Sequence, residues 1–209
     1  AGRPSPPAAI VADAPNPSSL EILRGAEEVA TEAGYTLLVA DVQESMEAER
    51  RALDRTLPMV EGLVLATSRM SDSSIRVAAK QRPTVVLNRA MSDIASVATD
   101  NARGTRRAVE HLAELGHTTI TYLAGPDASW ASGVRWQALR EAAHELSLRA
   151  RRLGPFAPTQ AGGLAAAEAL VDSPGTAVLA YNDLMAIGLM RGLTGHGIRI
   201  PADVSVVGF

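Results

Sequence analysis

The polar residues best suited to chemistry in this sequence stand directly behind short apolar runs. Asp13 and Asn16 follow residues 8–12, Asp41 follows 36–40, and Ser68 and Arg69 follow 62–66. Asn88 and Arg89 come after 84–87, Asp100 and Asn101 after 96–99, Asp127 and Ser129 after 119–123, and Asn182 and Asp183 after 177–181. Arg135 closes the loop 125–135 at the start of a helical segment. Asn and Asp exchange hydrogen bonds with hydroxyls, and Arg offers a planar fork to ring oxygens or carboxylates. That inventory suits a polyol or sugar-like ligand. An aromatic face would complete it, and Trp130 and Phe156 fall in loops at the same end, although a small apolar plug explains either equally well.

Catalytic templates are missing. The sequence holds no G-x-x-x-x-G-K-[ST], H-E-x-x-H or G-x-S-x-G, and no G-x-G-x-x-G after its first apolar run. His111, His117, His144 and His196 read as structural or solvated, and no two share the i, i+4 spacing of a helical metal site. Without cysteine there is no thiol nucleophile, disulfide or Cys-type zinc site. No enzyme activity, metal or cofactor is expected. Among charged stretches, RARR (149–152) reads as a solvated edge and ERRALDR (49–55) as an exposed helix face. Asp183 suits a helix N-cap.

The elements that must position these residues alternate along the chain. The apolar runs are mostly continuous, as parallel strands covered on both faces require, with further runs at 96–99 and 203–208. Helices intervene. NPSSLEILRGAEEVATEAG offers Asn16 as N-cap, Pro17 in the first turn, Gly34 as the stop, and a stripe at Ile22, Ala26, Val29 and Ala33. Thr105, Ala108, Leu112 and Leu115 form a second stripe that Gly116 ends. Segments 131–148, 160–172 and 183–194 are helical on the same grounds. Such alternation means an α/β fold with parallel sheet and right-handed crossovers. One sheet can hold all the strands; two similar lobes with a crossover near Asp100–Arg103 are the other arrangement. GPFAPTQAGG (154–163) and the Pro-rich start are the remaining linker candidates.

Bulk properties narrow the function classes. A net charge of −3 gives no broad basic field for nucleic acid. No stretch approaches the ~18 apolar residues of a membrane span. A reducing cytoplasm fits the absence of cysteine.

Several stretches carry a resemblance: EILRGAEEVATEAGYTLLVAD, VEGLVLA, PTVVLNR, VATDN, AVEHLAELGHTTITYLAGP and AYNDLMAIGLMRGLTGHGIRIPADVSVVGF. Together they resemble the regulatory domain of LacI-type bacterial repressors, from about residue 8 to 209. The resemblance implies two Rossmann-like lobes of the periplasmic-binding-protein type I fold, 8–101 and 102–209, after a linker remnant at 1–7. It implies a domain that closes on a small effector, acts as a cytoplasmic homodimer, and meets operator DNA only through a headpiece that this chain lacks. By position in the family, the effector contacts are Asn16, Ser18, Ser19, Asn88, Arg89, Asp100, Ser129, Arg135, Phe156 and Asn182. Many sugar-responsive members carry two aromatics where this chain has NPSS, which implies a roomier, more polar pocket. Asn88 stands where an acidic residue is common. The expected effector is therefore hydroxyl-rich without being tied to a monosaccharide. An extracytoplasmic sugar receptor of the same fold is the alternative function, and an enzyme on a related scaffold ranks below both.

The final stretch, PADVSVVGF (201–209), reads as a buried strand that leads, in the family, into an acidic ligand contact. A C-terminally incomplete domain is the expectation there.

Overall fold

The computed structural model describes residues 6–172 and 175–209. Of the expected linker remnant at 1–7, residues 1–5 lie outside the described part, and Pro7 already opens the first strand. The chain divides into two units, Ala1–Thr99 and Asp100–Phe209. Asp100 and Asn101 thus go with the second.

The first unit runs β1 (Pro7–Val11), α1 (Pro17–Glu32), β2 (Leu38–Asp41), α2 (Met46–Thr56), β3 (Gly62–Ala66), α3 (Asp72–Ala79), β4 (Thr84–Leu87) and β5 (Ser96–Val97). All its strand pairs are parallel, in the order β2-β1-β3-β4-β5. Parallel pairing demands crossovers, and the helices supply them. Ala52 and Leu53 of α2 and Ile75 and Ala78 of α3 pack on Ile10, Leu63, Leu65 and Val86. Each large side chain so buried contributes roughly 1.5–3 kcal/mol.

The second unit runs α4 (Asn101–Glu114), β6 (Thr119–Leu123), α5 (Trp130–Glu145), β7 (Arg149–Leu153), α6 (Gln160–Leu170), β8 (Ala177–Ala180), α7 (Asp183–Gly195) and β9 (Ser205–Val207). Its sheet is again parallel, ordered β7-β6-β8-β9. One apolar cluster joins Val109, Leu112, Leu139 and Ala142 to Ile120, Tyr122 and Leu179. Another joins Ala166, Leu170, Met185 and Leu189 to Leu123, Val178 and Ala180. Within that second cluster α6 and α7 touch closely. A methyl on Gly163 would lie 2.1 Å from the Met185 carbonyl oxygen, and one on Gly188 would lie 2.0 Å from that of Gln160.

Several expectations need correction. The helix foreseen over 131–148 ends at Glu145, and RARR belongs to β7, an edge strand whose arginines are exposed. Sheet edges accept polar side chains because only one backbone row needs a partner. ERRALDR is not wholly exposed: Glu49, Ala52 and Leu53 are buried on α2. In α1 the buried positions are Ser19 and Ala30, while Val29 is 66% exposed and Ala33 is also exposed. In α4 Val109 replaces Leu115 in the buried stripe. The run 203–208 forms the half-buried edge strand β9 rather than a buried one, with Val204 fully enclosed just before it. GPFAPTQAGG is no linker, since it lies inside the second unit and enters α6.

Candidate functional site

In open parallel sheets, ligands meet the loops beyond the carboxyl ends of the strands, at the point where strand order reverses. The first sheet reverses at β1, which pairs with β2 on one side and β3 on the other. The β1–α1 loop there holds Asn16 as N-cap of α1, its side chain accepting the Ser18 N–H at 3.0 Å. Pro17 follows in the first turn, where a missing N–H costs nothing. Ser19 is buried and Ser18 exposed. Burial, together with Glu44 and Asp41, raises the Asp13 pKa above its ordinary value, against the pull of Arg69.

The loops after β3 and β4 are tied together. Thr67 and Asn88 both adopt left-handed backbone, with φ of 60° and 59°. The Thr67 N–H donates to the Leu87 carbonyl at 3.2 Å, and the Asn88 N–H to that of Val97 at 2.8 Å. Asn tolerates that conformation well, whereas a β-branched Thr is strained in it. The Arg89 guanidinium turns inward. Its Nη1 donates to the Met70 carbonyl at 2.6 Å and its Nη2 to Asp72. Asn88 thus stands at the strand end, while Arg89 braces the neighbouring loop.

The second sheet reverses at β6, flanked by β7 and β8. Ser129, buried, caps α5, and its Oγ lies 3.1 Å from the Tyr181 hydroxyl. Asn182 caps α7 through the Met185 N–H at 2.8 Å and donates from Nδ2 to the Pro158 carbonyl at 2.9 Å. The cap is thus Asn182, and Asp183 is the first helical residue. Asp100 caps α4, accepting the Arg103 N–H at 2.9 Å, and is exposed. Phe156 packs, half-buried, against the cluster of α6, α7 and β8. Trp130 does not lie in a loop but opens α5.

Arg135 is the centre of this group. Its Nε donates to Asn101 Oδ1 at 2.8 Å and its Nη1 to the Tyr181 carbonyl. The guanidinium carbon lies 5.3 Å from the centroid of the Tyr181 ring and 3.7 Å from that of Phe209. Burial lowers its pKa, against the opposing pull of Tyr181, Tyr122 and Asp183. Tyr181 needs the space that Gly125 leaves, for a methyl there would stand 2.6 Å from its ring. The structure brings together Ser129 and Arg135 through Tyr181, with Asn182 adjacent in the chain. In the first unit it brings together Asn88 and the loop that Arg89 braces, while Asn16, Ser18 and Ser19 share the β1–α1 loop.

His117 sits at the opposite end of the second sheet, before β6, with Nδ1 2.9 Å from Thr176 Oγ1 and Nε2 3.0 Å from Ser205 Oγ. Among the described residues no cluster of three or more His, Asp or Glu is placed to hold a metal ion, and no helix is long and apolar enough to cross a membrane.

Residues 8–209 match the family described as periplasmic binding proteins and sugar binding domain of the LacI family. The chain belongs to this family. A relative in it is the HTH-type transcriptional repressor CytR of Escherichia coli (strain K12), 31% identical over 210 residues, covering 96% of this chain and 61% of that protein. The lac repressor dimer bound to operator and the anti-inducer ONPF has the same fold, with a TM-score of 0.84 at 27% identity over 99% of this chain and 75% of its own. So does a LacI family transcriptional regulator from Enterococcus faecium with bound ribose, with a TM-score of 0.78 at 30% identity, covering 97% and 76%. The chain spans about three fifths of the length of the curated relatives it matches, at 61%. For this LacI-family domain, the two Rossmann-like lobes expected from the sequence are the parallel-sheet units described above.

Two partners of the site escaped the sequence reading. Tyr181 was visible only as the end of an apolar strand, and Asn101 only as one polar residue after another. Both matter because they aim Arg135.

Proposed function

We propose that this chain is the effector-sensing domain of a LacI-family transcriptional regulator, taking a small hydroxyl-rich effector at the carboxyl-end loops of its two sheets. Arg135 carries this reading. A half-buried guanidinium fork held by Asn101 and Tyr181 at the strand-end loops is prepared to meet ring oxygens or hydroxyls without further ordering. Asn16, Ser18, Ser19, Asn88, Asp100, Ser129, Phe156 and Asn182 form the rest of the effector-contact set, with Arg89 bracing its loop. The transcriptional repressor CytR among its relatives supports a regulator, and the ribose in the Enterococcus faecium structure supports a sugar-bearing effector.

A ligand shifts the domain between arrangements only by binding one more tightly than the other. The regulator works in the cytoplasm as a homodimer and reads operator DNA through a headpiece outside this sequence. Calorimetry against sugars, polyols, nucleosides and nucleobases tests the reading. Binding of at least one sugar-bearing compound is expected, and tight binding to free nucleobases or apolar compounds alone would overturn it.

A further inference from the structure

Helix α2 buries a carboxylate that a surface helix does not need to bury. Glu49 is 1% exposed, and it accepts the backbone N–H of Arg69 at 2.8 Å. The Ser68 hydroxyl bonds to the same carboxylate, and Ser68 Oγ in turn accepts the Met70 N–H at 3.2 Å. Arg69 extends the network, donating from Nε to Glu44 at 2.5 Å and from Nη1 to the Thr67 carbonyl at 3.0 Å. From the other side, Arg89 grips the Met70 carbonyl and Asp72. Residues 67–72 are therefore clamped between α2 and the end of β4, and the residue before Arg89 is Asn88 in its left-handed backbone.

Removing a carboxylate from water is expensive, and an apolar residue would fill a purely structural position at lower cost. The carboxylate's partners here are a loop N–H and a loop hydroxyl at the strand-end edge, so what it fixes is the shape of that edge. We propose that ionised Glu49 is a positioning residue for the effector edge of the first unit: it locks residues 67–72 and, through Arg89, the backbone at Asn88. The functional sense of this inference rests on the effector-binding reading.

The charged and titratable groups around Glu49 are Arg69 and Arg89, paired with Glu44 and Asp72, and Asp13 beyond Glu44. Burial raises the Glu49 pKa above 4.5, while Ser68, the Arg69 N–H and the two arginines pull it back down. The loop should therefore respond to pH through one group.

The test follows backbone amide resonances of the whole chain by NMR from about pH 4 to about pH 8, a window spanning the carboxylate range and above. In the unmodified chain the amides of Arg69, Met70 and Asn88 should titrate together, with one midpoint above 4.5. Glu49→Gln should abolish that titration while leaving the amides of the second unit in place. Ser68→Ala should keep it and move the midpoint up. A pH-independent Asn88 amide, or a midpoint that survives Glu49→Gln, would overturn the proposal. In calorimetry with D-ribose, Glu49→Gln should weaken binding at least about tenfold, equivalent to about 1.4 kcal/mol. Unchanged affinity in that variant would also overturn it. If no sugar binds the unmodified chain, the effector reading fails by itself, and the amide titration still decides whether Glu49 sets the loop.

Discussion

The guanidinium carbon of Arg135 sits 3.7 Å from the centre of the Phe209 ring. With Tyr181 5.3 Å away, the cation is lined by two aromatic faces and anchored at two of its nitrogens. This arrangement serves the second unit, and the proposed effector binding gives Arg135 a further duty toward a ligand; the two separate experimentally.

Arg135→Ala should lower stability by about 2–4 kcal/mol, because it strands the Asn101 side chain and the Tyr181 carbonyl and removes both ring contacts. It should also weaken effector binding by roughly 2–5 kcal/mol. Denaturant unfolding and calorimetry read the two losses. Effector affinity equal to that of the unmodified chain, at a temperature where the variant is folded, would remove Arg135 from the contact set.

Stability should respond to pH with opposite signs at two places. Asp203 accepts from the Arg199 backbone N–H and from its Nε and Nη2, and these bonds pull its pKa from 3.8 down to about 2. A depressed acid stabilises the fold above its ordinary value, and that contribution disappears as pH falls through about 2. Glu49 and Asp13 behave inversely. Their raised values favour the folded state below 4.5 and 3.8, and the advantage is lost as pH rises through their folded values. Asp203→Asn should therefore flatten the acid limb of the melting-temperature profile, and Glu49→Gln the limb just above pH 4.5. A profile unchanged by either substitution would contradict the assigned partners.

The sequence made some of this legible and hid the rest for identifiable reasons. Asn16, Asp100, Ser129 and Asn182 were readable because each follows a strand; of their helix caps only that of Asn16 was also legible, and the late cap was expected at Asp183 rather than Asn182. The parallel strands were readable from continuous apolar runs. β7 was not, because an edge strand tolerates RARRL and only its register with β6 defines it. Glu49 was hidden by its charged neighbours, although Ala52 and Leu53 lie three and four positions on, the spacing of one helix face. The inward turn of Arg89 had no local signal, since it depends on the Met70 carbonyl and the Asp72 carboxylate, 19 and 17 positions away in sequence.

Gly163→Ala should be among the most damaging single-methyl changes in the second unit. The added carbon would fall 2.1 Å from the Met185 carbonyl oxygen, so α6 and α7 must separate, at a cost of about 3 kcal/mol or more. Gly133→Ala, where nothing lies within 4 Å, is the control and should be neutral or slightly stabilising. Thermal unfolding of the pair checks the contrast.

If the proposed homodimer packs through the exposed apolar side chains of α6 and α7, Leu164 at 47% and Ile187 at 39% exposure, Leu164→Glu should leave a monomer in sedimentation experiments, with secondary structure unchanged. A dimer that persists in this variant would place the interface elsewhere.

Strand β7 closes one side of its sheet with Arg149, Arg151 and Arg152 exposed. An outer strand leaves a row of backbone donors and acceptors on which another extended chain can add, and a line of cations discourages that addition. Three positive charges at that edge oppose such addition locally, whatever the modest negative total of −3.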